Sequence, residues 1–416
     1  MDPMIQPPIH RFRNNANAIP LGNRGWQGAA DHGLLDLPGR RAADDRVVDV
    51  RSGRTFVNLS SCAYLGLQGH PALLEGTIAA LRREGLYAIS MSRLRVHTAL
   101  LDEAEAGLSE LFRARTIVTT SASAATAGVL PLIASGHLCD DGEPRVMVFD
   151  KYCHFSMNLV KPVCADETTV LTAPHNDLDF IKDACKRHRR VAYVADGAYS
   201  TGGSATVDGL LELQDRYGLF LYFDDSHSLS IRGERGEGLV RSRLGAELNP
   251  LTVITCSLAK AFGASGGAIM LGPERQAAIL CRFGGPIAWS NAANVPSLGA
   301  TLASLAIHRS PELAELQARL GENVARFDER IATGERGNGL NIRLVPIGDE
   351  AEAVACSGRI LERGFYTSAV FFPIVERGKA GLRVMIRADN RPEDLAEFCA
   401  ILREVTAEAE VGAARP

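Results

Sequence analysis

Lys260 follows the strand-like run Leu251-Thr252-Val253-Ile254-Thr255-Cys256 and opens a loop of small residues that ends in Gly266-Gly267. A lysine so placed can form a Schiff base with an aldehyde cofactor. Small neighbours let such a cofactor approach the backbone, and desolvation lowers an amine toward the nucleophilic range. The plainer alternative is a strand-end lysine whose ammonium snorkels to water. Upstream, the apolar run Leu219-Phe220-Leu221-Tyr222-Phe223 ends abruptly in Asp224-Asp225-Ser226-His227. Ionised carboxylates avoid apolar surroundings unless a cation or donor meets them. A protonated pyridine nitrogen is such a partner. A carboxylate against it keeps the ring an electron sink, as pyridoxal phosphate chemistry requires. Two other uses compete: a helix N-cap at Asp225 or Ser226, and a metal site shared by Asp224 and His227. For the metal, no further ligands stand at suggestive spacing.

These residues need elements to hold them. Val146–Asp150, Val191–Asp196, the run ending at Asp224, the run ending at Cys256 and Gly267–Leu271 read as continuous apolar strands. Helical patterns cover Leu178–His188 and Leu210–Tyr217 between them. Such alternation predicts an α/β fold, a mainly parallel sheet with helices on both faces. Asp150, Asp196, Asp224 and Ser257 stand at strand ends, where open α/β sheets bind ligands. Earlier, Pro71 opens a helix, and a second is expected over Thr98–Phe112. Past Pro296 the pattern changes to a long helix over Pro311–Ala332, then a small α+β unit. That unit has strands at Asn341–Ile347 and Gly381–Arg387, and helices at Ala351–Arg363 and Pro392–Ala409. The expected division is an irregular arm over 1–55, a large α/β domain over 56–296 and a small C-terminal α+β domain over 297–416.

The chain has 416 residues, 46% hydrophobic and 23% charged, the balance of an enzyme with a large core. A net charge of -4 points to no nucleic-acid partner. No apolar run approaches the length of a membrane-spanning helix. Nine cysteines without a C-x-x-C pair read as reduced thiols in a cytoplasm. Gly233-Glu234-Arg235-Gly236-Glu237-Gly238 has its glycines in the wrong order for a dinucleotide fingerprint and reads as a charged turn.

Asn58-Leu59-Ser60-Ser61, Tyr64-Leu65-Gly66-Leu67, His175-Asn176-Asp177, Asp224-Asp225-Ser226-His227, the Gly233–Gly238 segment and Ser257-Leu258-Ala259-Lys260 occur in one order. In this the chain resembles the α-oxoamine synthases, pyridoxal-phosphate enzymes of aminotransferase fold type I. That fold has a mainly parallel seven-stranded large-domain sheet. Ser257–Lys260 and Asp196–Thr201 are most similar to the branch that makes quorum-sensing α-aminoketones, beside the oxononanoate synthases.

The resemblance implies roles by position. Lys260 would carry pyridoxal 5′-phosphate and act as acid and base, and Asp224 would pair with the ring nitrogen. His227 would bond the ring oxygen, His154 would stack on the ring, and Ser200 would sit beside it. Ser257 takes the place of a phosphate-binding threonine. Ala122 and Ser123 stand where the family has Gly-Phe or Gly-Tyr, before a helix suited to a phosphate. Arg383 matches the arginine that grips the amino-acid carboxylate. No metal is implied.

Departures mark the substrate side. Cys62-Ala63 replaces a common Asn-Asp, Ile374 stands for a threonine, and Tyr87–Val96 replaces a Gly-rich loop. Arg93 and Arg95 in that segment are placed either to meet phosphates of an acyl carrier or to pair with Asp102 or Glu103. The expected activity is that of a C-acyltransferase. An α-amino acid condenses with an acyl thioester of coenzyme A or an acyl carrier protein, carbon dioxide leaves, and an α-aminoketone results. A homodimer is expected to complete the site. The rivals are another fold-type-I reaction, aldol cleavage or transamination, and a non-catalytic scaffold subunit, which in this family lacks the lysine.

Overall fold

In a computed structural model, residues 12, 14–42 and 46–413 are described. They form two units, one of residues 67–199 and 204–313, the other of 14–66, 200–203 and from Ala314 onward.

The first unit is built on seven strands. These are β1 (Arg115–Thr119), β2 (Val146–Asp150), β3 (Val170–Ala173), β4 (Val191–Asp196), β5 (Phe220–Asp224), β6 (Thr252–Ser257) and β7 (Gly267–Leu271). Their order is β1-β7-β6-β5-β4-β2-β3. β2 through β6 pair in parallel, and β7 runs antiparallel to both β1 and β6. β4 and β5 are buried along their whole length. Strand side chains alternate between faces, and both faces are apolar here. Tyr193, Ala195, Leu221 and Phe223 enter one core with the helices Ala99–Phe112, Leu178–Arg187, Val207–Tyr217 and Val295–His308. Ala192, Val194, Phe220 and Tyr222 enter the other with Ala122–Ala134, Phe155–Glu167 and Glu274–Phe283. Two covered faces account for strands that read as unbroken apolar runs. Emptying one such position, Phe223→Ala, would cost about 3–5 kcal/mol.

The second unit holds a three-stranded antiparallel sheet of Ile342–Gly348, Ala380–Met385 and Ser368–Val370. A four-stranded sheet is closed by Thr55–Asn58 pairing in parallel with Phe365–Tyr366. Arg343, fully buried, makes a bidentate pair with Asp328 at 2.7 and 2.8 Å. The chain therefore divides differently from the expected arm and large domain. Residues 14–31 are a helix, with Trp26 edge-on to Phe371 at 5.1 Å. Val57 lies in register with Phe365. These contacts tie 14–66 to the C-terminal elements.

Candidate active site

A cavity of about 210 Å³ lies at the carboxyl ends of β1, β4, β5 and β6, with the turn after β2 at its side. Each of these strands turns polar as it leaves the sheet. Its lining holds seven of the expected residues: Ala122, Ser123, His154, Asp224, His227, Ser257 and Lys260. It also holds Ser121 and Ser156, which carried no expectation, Asp196, expected only as a polar strand end, and Ser226, weighed only as a helix cap.

Lys260 sits three residues past β6 in a loop tied to itself. Leu258 N donates to Gly266 O at 3.0 Å, Ala264 N to Leu258 O at 2.9 Å and Gly263 N to Lys260 O at 3.0 Å. The side chain is half-buried, not snorkelling freely, and Nζ lies 2.7 Å from His227 Nε2. One of these nitrogens must donate and the other accept.

Asp224 ends β5 with its carboxylate buried, and Oδ1 accepts the Ser226 amide at 3.0 Å. Asp225 turns away from this role. Its Oδ2 accepts the Val240 amide at 2.9 Å and its Oδ1 the Ser228 hydroxyl, so it ties down the glycine-rich turn that follows. Burial pushes the Asp225 carboxyl up to about 6, against the pull of the Ser228 bond. A side chain at Gly197 would stand 2.3 Å from Asp225 Oδ1, so glycine is required where β4 ends.

Ser257 at the end of β6 is fixed to β5. Its amide donates to Ser226 Oγ at 2.8 Å, and its own Oγ accepts the Ala259 amide at 3.2 Å. His154 is exposed and caps the helix Phe155–Glu167, accepting the Ser156 amide on Nδ1 at 3.3 Å. An amide can only donate, so in the neutral ring the proton is on Nε2. The His154 amide in turn donates to Asp196 Oδ2 at 2.8 Å.

Ala122 and Ser123 are the first two residues of the helix Ala122–Ala134, capped by Ser121 Oγ accepting the Ala124 amide at 3.0 Å. Amides of a first turn have no intrahelical acceptor, and with the helix dipole they favour an anion. Gly267 makes this placement possible: a Cβ there would lie 2.6 Å from Ala122 N. The donors are backbone groups, so Ala122 and Ser123 supply them whatever their side chains.

Ser200 and Arg383 belong to the second unit. Arg383 lies on the strand Ala380–Met385 and donates from Nη1 to Ser200 O at 3.4 Å, while its Nε is buried without an acceptor. Cys62 donates to Met385 Sδ at 3.7 Å.

Arg93 corrects the expectation for its segment. Its guanidinium, only 9% exposed, pairs with Glu105 at 2.8 Å and donates to Val118 O at 3.1 Å. Neither Asp102 nor Glu103 is its partner, for they meet His97 and Arg83. It is a structural cation and not a free one. Arg95 is exposed.

Of the residues in the lining without an expected role, Asp196 had a signal in the sequence, a polar residue ending an apolar strand. Ser121 had another, a cap residue ahead of a run of small helix formers.

Comparison with known proteins bears on the whole chain. Residues 54–402 match the family of aminotransferase class I and II. The chain is 30% identical over 367 residues to an 8-amino-7-oxononanoate synthase of Geobacter metallireducens, covering 86% of this chain and 90% of that one. It is 29% identical over 363 residues to the synthase of the same name from Symbiobacterium thermophilum, covering 85% and 89%. A serine palmitoyltransferase of Sphingomonas wittichii superposes with a TM-score of 0.82 at 18% identity, over 94% of this chain and 98% of that one. At that identity the likeness speaks for the fold alone. The chain belongs to the aminotransferase class I and II family, among its pyridoxal-phosphate-dependent α-oxoamine synthases.

Proposed function

We propose that this protein binds pyridoxal 5′-phosphate and condenses an α-amino acid with an acyl thioester, releasing carbon dioxide and a thiol and giving an α-aminoketone. The observation that carries the reading is the grouping of Lys260, His227 and buried Asp224 around one cavity whose wall is a helix N-terminus. The donor set fits the cofactor: an amine for an aldehyde, a buried carboxylate for a cationic ring nitrogen, and first-turn amides for a phosphate.

When bound, the cofactor supplies an aldehyde and a cationic ring that stores an electron pair. Asp224 would hold the proton on the ring nitrogen, because removing that proton would leave a buried carboxylate without its cation. The amides of Ala122 and Ser123 and the hydroxyl of Ser257 would hold the phosphate. His154, fixed through Nδ1 and its own amide, would stack on the cofactor ring. Lys260 takes the proton from the substrate α-carbon and later returns one, with His227 as its proton partner at 2.7 Å. Arg383 grips the amino-acid carboxylate, and its unpaired Nε is a donor for that anion. Ser200, whose carbonyl accepts from Arg383, would take the family's place beside the ring.

The donor is a thioester of coenzyme A or of an acyl carrier protein. A homodimer completes the site. Phe155, Leu159 and Val163 are 51%, 55% and 50% exposed at four-residue spacing, an apolar stripe suited to a second copy. The nine cysteines are free, as in a reducing cytoplasm. Among the described residues no helix is long and apolar enough to cross a membrane.

The test is a screen of amino acids against the cofactor-loaded protein by absorbance, then thiol release from acyl thioesters. The reading expects one amino acid to shift the spectrum and to make thiol release depend on its presence. Thiol release indifferent to every amino acid would overturn it.

A further inference from the structure

Three carboxylates end neighbouring strands beside the cavity: Asp150 on β2, Asp196 on β4 and Asp224 on β5. Asp196 and Asp224 are directly paired across β4 and β5, so their side chains leave the sheet on the same side. Both line the cavity, and they are 2% and 4% exposed. Two buried carboxyl groups at adjacent paired positions do not both ionise readily, because each charge is desolvated and each opposes the other.

The protein solvates Asp150 far more than Asp196 or Asp224, each of which accepts one amide. Asp150 accepts four hydrogen bonds: from the Tyr152 amide at 2.8 Å, the Asn176 amide at 3.0 Å, His175 Nδ1 at 3.0 Å and the Tyr193 hydroxyl at 2.8 Å. Burial works against its charge, yet these bonds outweigh burial and hold it below the usual range. Asp196 accepts one bond, from the His154 amide to Oδ2. A neutral acid still accepts that bond through its carbonyl oxygen, though more weakly than an anion would.

We propose that Asp196 is a positioning residue that works as a neutral carboxylic acid: Oδ2 holds the backbone of His154, and the acid proton stays on the group. Asp224 is then the single anion of the two, free to serve the cationic ring. This part rests on the cofactor reading given above. The groups facing Asp196 agree with the assignment. Burial raises it well above the carboxylate range, and Asp224 raises it further. The His154 amide and Lys260 beyond β6 pull the other way without reversing the rise, and Asp150 on β2 adds to it. The neighbouring Cys153, Tyr199 and Tyr222 are held protonated by burial and add no charge. The function of Asp196 is therefore geometric: it sets the turn from which His154 enters the site.

The test compares full-length wild type, Asp196→Asn and Asp196→Ala. Asn keeps a neutral oxygen acceptor for the His154 amide, and Ala removes it. Pyridoxal 5′-phosphate affinity, titrated by absorbance, should stay within about threefold of wild type for Asn and fall about tenfold or more for Ala, the loss of one buried bond. Infrared spectra of the cofactor-free proteins at neutral pH should show a protonated carboxyl band in wild type that is missing from Asp196→Asn. Absence of that band in wild type would overturn the proposal. So would an Asn variant as weak as Ala, or an Ala variant as tight as wild type. Should wild type itself not bind the cofactor, the site reading fails, and the infrared band still decides the state of Asp196.

Discussion

Lys260 Nζ and His227 Nε2 stand 2.7 Å apart, a hydrogen bond in which one nitrogen donates and the other accepts. When the lysine is an ammonium, the imidazole accepts through Nε2. When the amine is neutral, the imidazole can donate in return. His227→Ala removes this partner while leaving Asp224 and the helix N-terminus in place. The expected result is a kcat lowered about 100-fold with cofactor still bound, the scale of one lost acid–base partner. Steady-state kinetics with cofactor occupancy measured in parallel checks it.

Asp224→Asn keeps the shape of the strand end and removes the charge. A neutral amide cannot hold the ring proton, so exchange of the substrate α-proton with solvent should fall about 100-fold or more, along with product formation. Deuterium exchange followed by NMR separates this loss from any effect on the thioester. Exchange at the wild-type rate would remove Asp224 from the site.

Arg383→Ala should weaken amino-acid binding by roughly 1.5–3 kcal/mol, the range of a charge-assisted bond, and leave cofactor affinity unchanged. Spectral titration with the amino acid gives the number. A loss below about 1 kcal/mol is what an exposed ion pair gives and would contradict the clamp.

Much of the large unit was legible because its strands are buried on both faces. Val146–Asp150, Val191–Asp196 and Gly267–Leu271 read from apolar runs alone and have those limits in the structure. The half-exposed edge strand Val170–Ala173 carries too weak a run to stand out. The helix Phe155–Glu167 was hidden by Pro162, and Asn14–Asp31 by Pro20 and three glycines. Gly25 breaks nothing: a Cβ there would stand 2.6 Å from the Phe371 ring, so glycine serves a contact that only the folded chain reveals. Of the residues named by strand-end position, Asp196, Asp224 and Ser257 line one cavity and Asp150 does not, while the state of Asp196 did not show. It depends on β4 lying beside β5, and strand order is non-local. Arg93 was misread for a related reason, since its partner Glu105 is set by how the Ala99–Phe112 helix packs.

Arg93→Ala therefore becomes a stability prediction. Removing one member of a buried pair leaves Glu105, 4% exposed, without its strongest cation. About 3 kcal/mol of stability should be lost. Denaturant unfolding measures it, and the thioester KM should not move at permissive temperature.

His308 sets a pH dependence away from the site. It is buried against Phe262, with Nδ1 on Ser304 O at 2.8 Å and Nε2 on Ser230 Oγ at 2.9 Å. Burial lowers it from 6.5 to about 4. Below 6.5 the unfolded chain takes up a proton that the folded one refuses, so stability is full above that pH and falls as pH drops toward 4. The loss at pH 4 is about 3 kcal/mol. His308→Gln should flatten this part of the acid-unfolding curve, measured as Tm against pH.

The central claim is a decarboxylating condensation driven from Lys260. It is tested most directly with the amino acid selected by spectral screening, labelled with carbon-13 in its carboxyl group, and an acyl thioester. The account predicts labelled carbon dioxide and free thiol in equal amounts with an α-aminoketone, and none of the three from Lys260→Ala. Thiol released without labelled carbon dioxide, or turnover that survives the loss of Lys260, would contradict it.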